Sequence, residues 1–225
     1  MMVVFEKGET LRYIGHLDLM RAMQRALRRS GLPIRYSNGF NPHIRLSFAV
    51  PLSVGVVGLR ELMEVPLEGG VTEQAFQDGM NAVLPGCLRI RQCRALADGF
   101  PALMSLAAGS RYLIRFPRSA ESDRAAAGFE AFMALEHYTA ARRTKSGENP
   151  CDIRPFVTGG ELRKGEDGWE IALETVSTAA GSLKPSLWLD SLRAFTEAGE
   201  FPHIIYRTAI LARKPDGTLV PMEEV

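Results

Sequence analysis

The sequence predicts an α+β protein of two tandem ferredoxin-like (βαββαβ) lobes. The 225-residue chain is long enough for two lobes of about 100 residues each. In its first half, segments with strand or helix periodicity follow the order strand, helix, strand, strand, helix, strand. The same order recurs further along, so we expect an N-terminal lobe over residues 1–108 and a C-terminal lobe over residues 109–225.

The N-terminal lobe opens with an apolar strand at residues 3–5. Residues 15–31 then predict a helix, because apolar residues recur there at spacings of three and four and Gly31 provides a C-terminal stop. Alternating residues predict strands at 33–36, 44–48, 59–67 and 88–95, with a helix that Thr72 caps before the last of them. An Asn-Gly loop joins the first two of these strands.

In the C-terminal lobe, residues 111–117 predict a strand and residues 122–140 a helix. Residues 152–176 predict two strands, with a hairpin turn at Gly159 and Gly160. A helix over residues 185–195 and a strand over residues 203–214 complete the set.

Charge is distributed unevenly along the chain. The formal net charge is +1, but the first 50 residues hold eight basic and three acidic side chains, a net charge of +5. This asymmetry predicts an anionic partner for the N-terminal region. Of the chain's residues, 46% are hydrophobic, which excludes general disorder. The three cysteines form no CxxC pair, and the sequence has neither a signal peptide nor a membrane-length apolar run, so we expect a cytoplasmic protein without a membrane partner.

The loop after the first helix has the composition of an anion site. Its Asn and Gly residues tolerate positive φ angles and leave backbone N–H groups free to form a nest around an anion. If the loop lies beside the helix, guanidinium groups of that helix converge with these amides on a phosphate. The alternative is a simple tight turn beside a solvated arginine face. The candidate residues for binding RNA or another anion are Arg12, Arg21, Arg25, Arg28, Asn38, Gly39, Asn41 and Arg45.

Two histidines are candidates for acid–base catalysis. His16 begins the first helix beside Asp18, and His43 flanks the Asn-Gly loop. An imidazole with a pKa of about 6.5 can move a proton near neutral pH. Alternatively, His16 only contacts the end of the helix. The sequence has no zinc-binding spacing, phosphate-binding glycine loop or nucleophile elbow, so we expect no metal and no cofactor.

Residues 12–56 closely resemble the hallmark segment of a bacterial radical-SAM-associated domain family of unknown function, with weaker matches at 151–157 and 181–185. Members of that family are free-standing or fused to cobalamin-binding radical SAM proteins. The CxxxCxxC motif that holds the radical SAM cluster is missing here, so the resemblance implies a separate radical SAM protein as partner. Glu61 also matches, although its neighbours differ from the family's usual tyrosine-bearing form. The other matching residues are His16, Asp18, Arg21, Arg25, Arg28, Asn38, Gly39, Asn41, Pro42, His43 and Arg45.

The resemblance and the charge pattern together favour an accessory protein that binds RNA or another phosphate-bearing ligand. In the family that the chain resembles, genes of free-standing members lie near ribonuclease and ribosomal-protein genes, and the resemblance therefore favours RNA as the ligand. No preference for DNA is expected. One alternative is a metal-independent endoribonuclease, since the paired lobes resemble proteins that process CRISPR repeats. Another is a protein-only docking module for a radical SAM enzyme. An enzyme acting on a phosphorylated metabolite is a further alternative.

Overall fold

The chain has a mixed α+β structure, described by a computed structural model for residues 1–144, 147–179 and 181–225. The strands are β1 Met2–Lys7, β2 Ser47–Phe48, β3 Val56–Glu64, β4 Leu88–Arg94, β5 Ala107–Pro117, β6 Thr139–Thr144, β7 Gly147–Asp152, β8 Val157–Lys164, β9 Gly168–Val176, β10 Ile204–Arg213 and β11 Leu219–Pro221. The helices are α1 His16–Arg29, α2 Glu73–Asn81, α3 Leu103–Leu106, α4 Ala120–Ala127, α5 Phe129–Met133 and α6 Pro185–Phe195.

The chain divides into two compact units. The first contains Met1–Ala107 together with Arg207–Val225, and the second contains Ala108–Tyr206. These bounds differ from the predicted lobes of 1–108 and 109–225 in one respect, because the C-terminal segment belongs to the first unit. No helix in the described ranges is long and apolar enough to cross a membrane.

In the first unit, β1 lies between β4 and β3 and pairs antiparallel with both. The short β2 also pairs antiparallel with β3. Strand β1 is buried on both faces: Val3 and Phe5 join the core that includes residues of α1 and α2, whereas Met2 and Val4 join a core with Leu103 of α3. Because successive side chains point to opposite faces of a strand, this double burial explains why β1 is apolar throughout its first four residues.

In the second unit, β9 lies between β5 and β8 and pairs antiparallel with both. Trp188 of α6 is fully buried, and its ring centroid lies 6.2 Å from that of Phe129 and 5.8 Å from that of Phe132. Strands β6 and β7 form a separate antiparallel pair, which the sequence pattern did not predict.

Two sequence-based expectations for the second unit are wrong. The predicted helix over residues 122–140 is divided at Gly128 and ends at Met133, and Thr139 already belongs to β6. Gly159 and Gly160 do not form a hairpin turn but lie inside β8. The turn comes later, where the Gly165 amide donates to the Gly168 carbonyl at 2.9 Å.

Candidate anion-binding site

Helix α1 presents an arginine face to solvent. Its buried residues, Leu19, Met23, Ala26 and Leu27, form one stripe against the core of the first unit. At 3.6 residues per turn, the residues between these positions fall on the opposite side. The exposed residues of that side include Arg21, Arg25, Arg28 and Arg29.

The exposed arginines are weakly restrained. Arg21 lies 3.2 Å from Asp18, and because both side chains are about two-thirds exposed (65% and 66%), this ion pair leaves the charge largely available. Arg25 donates through Nε to the Arg21 carbonyl at 3.3 Å, and Arg29 donates to the Val83 carbonyl at 2.8 Å. Arg28 forms no hydrogen bond or ion pair within the described ranges. The outer face of α1 is therefore a row of cations with one carboxylate.

Residues 35–45 fold back on themselves beside α1 as a short ribbon, which does not extend to the predicted strands 33–36 and 44–48 because Ile34 pairs with Leu67 and β2 pairs with β3. The Arg45 amide donates to the Arg35 carbonyl at 3.3 Å. Tyr36 and Ile44 face each other across an antiparallel bridge. The Ile44 carbonyl accepts from Gln24 of α1 at 3.4 Å, and the Phe48 ring lies 5.3 Å from the His16 ring. Phe48 therefore lies at the start of the helix and Ile44 beside its middle.

The tip of the ribbon is an open loop on a hydrogen-bonded neck. The Ser37 amide donates to the His43 carbonyl at 2.9 Å, and the Ser37 hydroxyl both accepts from the His43 amide at 3.0 Å and lies 2.8 Å from His43 Nδ1. Residues 38–42 between them are exposed, and Gly39 has φ of +119°. The amides of residues 38–41 donate to no acceptor in the part of the chain that is described. Asn38, Gly39 and Asn41 therefore offer free donors, as a nest requires.

The remaining candidates lie apart from this row. Arg45 is exposed on the ribbon and follows the buried Ile44. Arg12 lies before α1, where its guanidinium is 4.7 Å from the centroid of the Tyr13 ring and donates to the Glu9 carbonyl at 3.3 Å. The structure thus groups Arg21, Arg25 and Arg28 on α1, whereas Arg12 and Arg45 lie on the segments before and after that helix.

The two candidate catalytic histidines lie at different places along α1. His16 is the first residue of the helix, whereas His43 adjoins Ile44, which bonds to Gln24. Eight residues of helix separate these levels, a rise of about 12 Å. A general acid and a general base must both reach the atoms of one reacting bond, so this placement gives the pair no common reaction centre.

Sequence reasoning missed a buried charge cluster in the first unit. Glu61 is paired with Arg207, which donates to it through Nε at 2.8 Å and through a second nitrogen. Lys7 is also buried, and burial lowers its pKa while the nearby Glu61 carboxylate acts to raise it. A Cβ at Gly58 would lie 2.4 Å from Glu61 Cγ, so only glycine fits against the carboxylate. In the sequence, Lys7, Glu61 and Arg207 are only some of the charged side chains in β1, β3 and β10, and no local pattern marks them as buried.

The second unit contains a cavity of about 600 Å³ between the β6–β7 pair and α6. Its charged lining residues are Arg142, Glu148, Lys184 and Asp190, so cations and anions are balanced there. This balance gives no preference for an anionic ligand. Across the described ranges, no three His, Cys, Asp or Glu residues are grouped to hold a metal ion.

Comparison with curated proteins found no match for this chain. A family model matches residues 1–185, which is most of the chain. That match covers α1, the ribbon and the buried Glu61. The chain therefore belongs to the family described as "Uncharacterized protein conserved in bacteria (DUF2344)".

Proposed function

We propose that the protein is a radical-SAM-associated accessory protein that binds RNA, or another phosphate-bearing ligand, through α1 and the loop at the ribbon tip. The observation that carries the proposal is the row of Arg21, Arg25 and Arg28 on the exposed face of α1. Guanidinium groups donate charge-assisted hydrogen bonds to phosphate oxygens, often two at a time. The free amides of residues 38–41 supply further donors.

The arginine row lowers the stability of α1 when no ligand is bound, and this supports a role of the row in binding. Like charges three or four residues apart destabilise a helix by roughly 0.2–0.5 kcal/mol per pair. Arg25 has such neighbours at Arg21, Arg28 and Arg29, and Asp18 compensates only Arg21. An anion bound across the row would remove this repulsion.

Ferredoxin-like lobes are part of the proposal. In the first unit, α1 and α2 alternate with antiparallel strands in the order β4-β1-β3, with β2 on β3, which is consistent with a split βαβ arrangement. In the second unit, the antiparallel order β5-β9-β8 with α4 and α6 between strands gives the same kind of support.

The test is RNA binding measured at two salt concentrations. Fluorescence anisotropy with a labelled cellular RNA should detect binding at 50 mM salt, and three phosphate contacts predict a loss of roughly 20-fold in affinity at 200 mM. Arg25→Glu/Arg28→Glu should weaken binding at low salt and flatten this salt dependence to roughly threefold, because one phosphate contact remains.

Arg89→Glu is the matched control, since Arg89 is an exposed arginine of β4 in the same unit. It should bind RNA like the unmodified protein. The proposal fails if no RNA binds at 50 mM salt, or if Arg89→Glu and the α1 variant weaken binding equally.

The docking-module alternative uses the same row of arginines but a protein ligand. In that case a radical SAM protein would be captured by the unmodified chain and lost by Arg25→Glu/Arg28→Glu, with no RNA bound by either. In the endoribonuclease alternative, His16 or His43 would act alone as general acid or base, since the two lie at different levels of α1.

A further inference from the structure

Three aromatic side chains around α1 are exposed to an extent that core packing does not explain. Phe40 at the ribbon tip has a relative exposure of 111%, Tyr13 has 68% and Tyr36 has 41%. Burying an aromatic ring is among the larger gains in folding, so exposed rings grouped in one region indicate a surface that binds something else.

The rings and the arginines belong to one region of the first unit, which is α1 with the segments before and after it. Tyr13 lies just before α1. Tyr36 pairs with Ile44 across the bridge, at the level of Gln24 of α1. Between these two levels the exposed side of α1 carries Arg21, and Phe40 lies beyond Tyr36 at the tip.

The charge of the surface around the rings distinguishes between kinds of ligand. Tyr13 has exposed apolar neighbours, since Leu17 of the first turn of α1 is 62% exposed and Val54, next to the Gly55 amide that donates to the Arg12 carbonyl, is 60% exposed. Apolar contact alone does not account for the row of exposed arginines that follows along α1. Exposed rings beside a row of cations match a chain of unpaired bases joined by phosphates.

We infer that the ligand is single-stranded RNA, with unpaired bases stacked on Tyr13, Tyr36 and Phe40 and phosphates along Arg21, Arg25 and Arg28. This inference rests on the proposed function and specifies its ligand. One face of the Tyr13 ring is already covered by the Arg12 guanidinium at 4.7 Å, which leaves the other face for a base. In a duplex the bases are stacked on each other and do not reach such rings. Asn38 and Asn41 at the tip offer partners for base edges and 2′-hydroxyl groups.

The experiment compares three labelled probes of one sequence: a 12-nucleotide unstructured RNA, the same RNA annealed to its complement, and the DNA equivalent. The protein should bind the single-stranded RNA most tightly. Tyr13→Ala, Tyr36→Ala and Phe40→Ala should each weaken that binding by roughly five- to 150-fold, the range measured for loss of one base–aromatic stack. The salt dependence of RNA binding should be the same in these variants as in the unmodified protein, because the phosphate contacts remain.

Two controls separate stacking from folding and from general loss of apolar surface. Tyr13→Phe and Tyr36→Phe keep the rings and should bind RNA normally. Met104→Ala removes a side chain of α3 that is 60% exposed, and it should bind RNA normally as well.

The outcomes distinguish this inference from the proposed function. If duplex RNA binds as tightly as single-stranded RNA, or if Tyr13→Ala, Tyr36→Ala and Phe40→Ala each bind like the unmodified protein, stacking is overturned and RNA binding stands. Equal affinity for the DNA probe overturns the assignment to RNA. If no nucleic acid binds at low salt, both proposals fail.

Discussion

Arg207 and Glu61 show how single buried charges position the surroundings of α1. Besides its bonds to Glu61, Arg207 donates to the carbonyls of Val50 at 3.0 Å and Pro51 at 3.4 Å. These bonds fix the chain just after the ribbon. Lys7 donates to the carbonyls of residues 12 and 14 at 3.3 and 3.4 Å, in the segment that leads into α1. The buried charges therefore hold both approaches to the candidate site.

Removing one partner of this ion pair should destabilise the protein strongly. Arg207→Met leaves the Glu61 carboxylate buried without its bidentate partner, and we expect a loss of about 3–5 kcal/mol in the free energy of unfolding. Equilibrium urea unfolding measures it. Arg91→Met breaks a more exposed pair with Glu6 and should cost about 1 kcal/mol or less. Equal costs for the two variants would contradict the buried role of Arg207.

The sequence could not reveal this pair. Glu61 and Arg207 are 146 positions apart, and each stands in a strand whose other residues are largely apolar. A charged residue in such a strand has either a side chain that points to solvent or a buried side chain with a partner of opposite charge. The choice depends on which strands pair in the fold, and the local sequence does not give this pairing.

Among the elements, α1 followed its sequence closely because local signals determine both its face and its end. The apolar spacing sets the buried stripe, and Gly31 follows the helix with φ of +69°. The divided helix of the second unit had no such local signal, because tertiary packing determines its geometry. A Cβ at Gly128 would lie 2.3 Å from Thr196 Cγ2, and one at Gly160 would lie 2.7 Å from Met133 Cε. Both glycines are required by close packing against distant side chains. The sequence pattern cannot show such packing, so it predicted a continuous helix through Gly128 and a turn at Gly160.

The end of α1 should depend on glycine at position 31, because the backbone there has a positive φ angle. Gly31→Ala places a Cβ in the left-handed region and should lower the free energy of unfolding by roughly 1–2 kcal/mol. The matched control is Gly70→Ala, where a Cβ meets nothing within 4 Å and φ is not positive. Thermal and urea denaturation of both variants test this. A Gly31→Ala protein as stable as Gly70→Ala would show that the helix does not need a left-handed residue there.

For the whole molecule, the sequence predicted the α+β class because the periodicities of its segments are local properties. It did not place residues 207–225 in the first unit, because that depends on strand pairing between distant parts of the chain. The same limit applies to the candidate site. The arginine face of α1 followed from helical spacing, but whether Tyr13, Tyr36 and Phe40 are buried or exposed depends on what packs against them. The two ferredoxin-like lobes stay a prediction.

Amide chemical-shift mapping of the full chain by NMR, with a 12-nucleotide single-stranded RNA as titrant, tests directly whether α1 and the ribbon form the binding surface. We predict that the largest shifts fall on Tyr13, on the arginine face of α1 and on residues 36–43. Shifts confined to the second-unit cavity, at residues such as Arg142 and Lys184, or no shifts at low salt, would contradict a binding surface on α1.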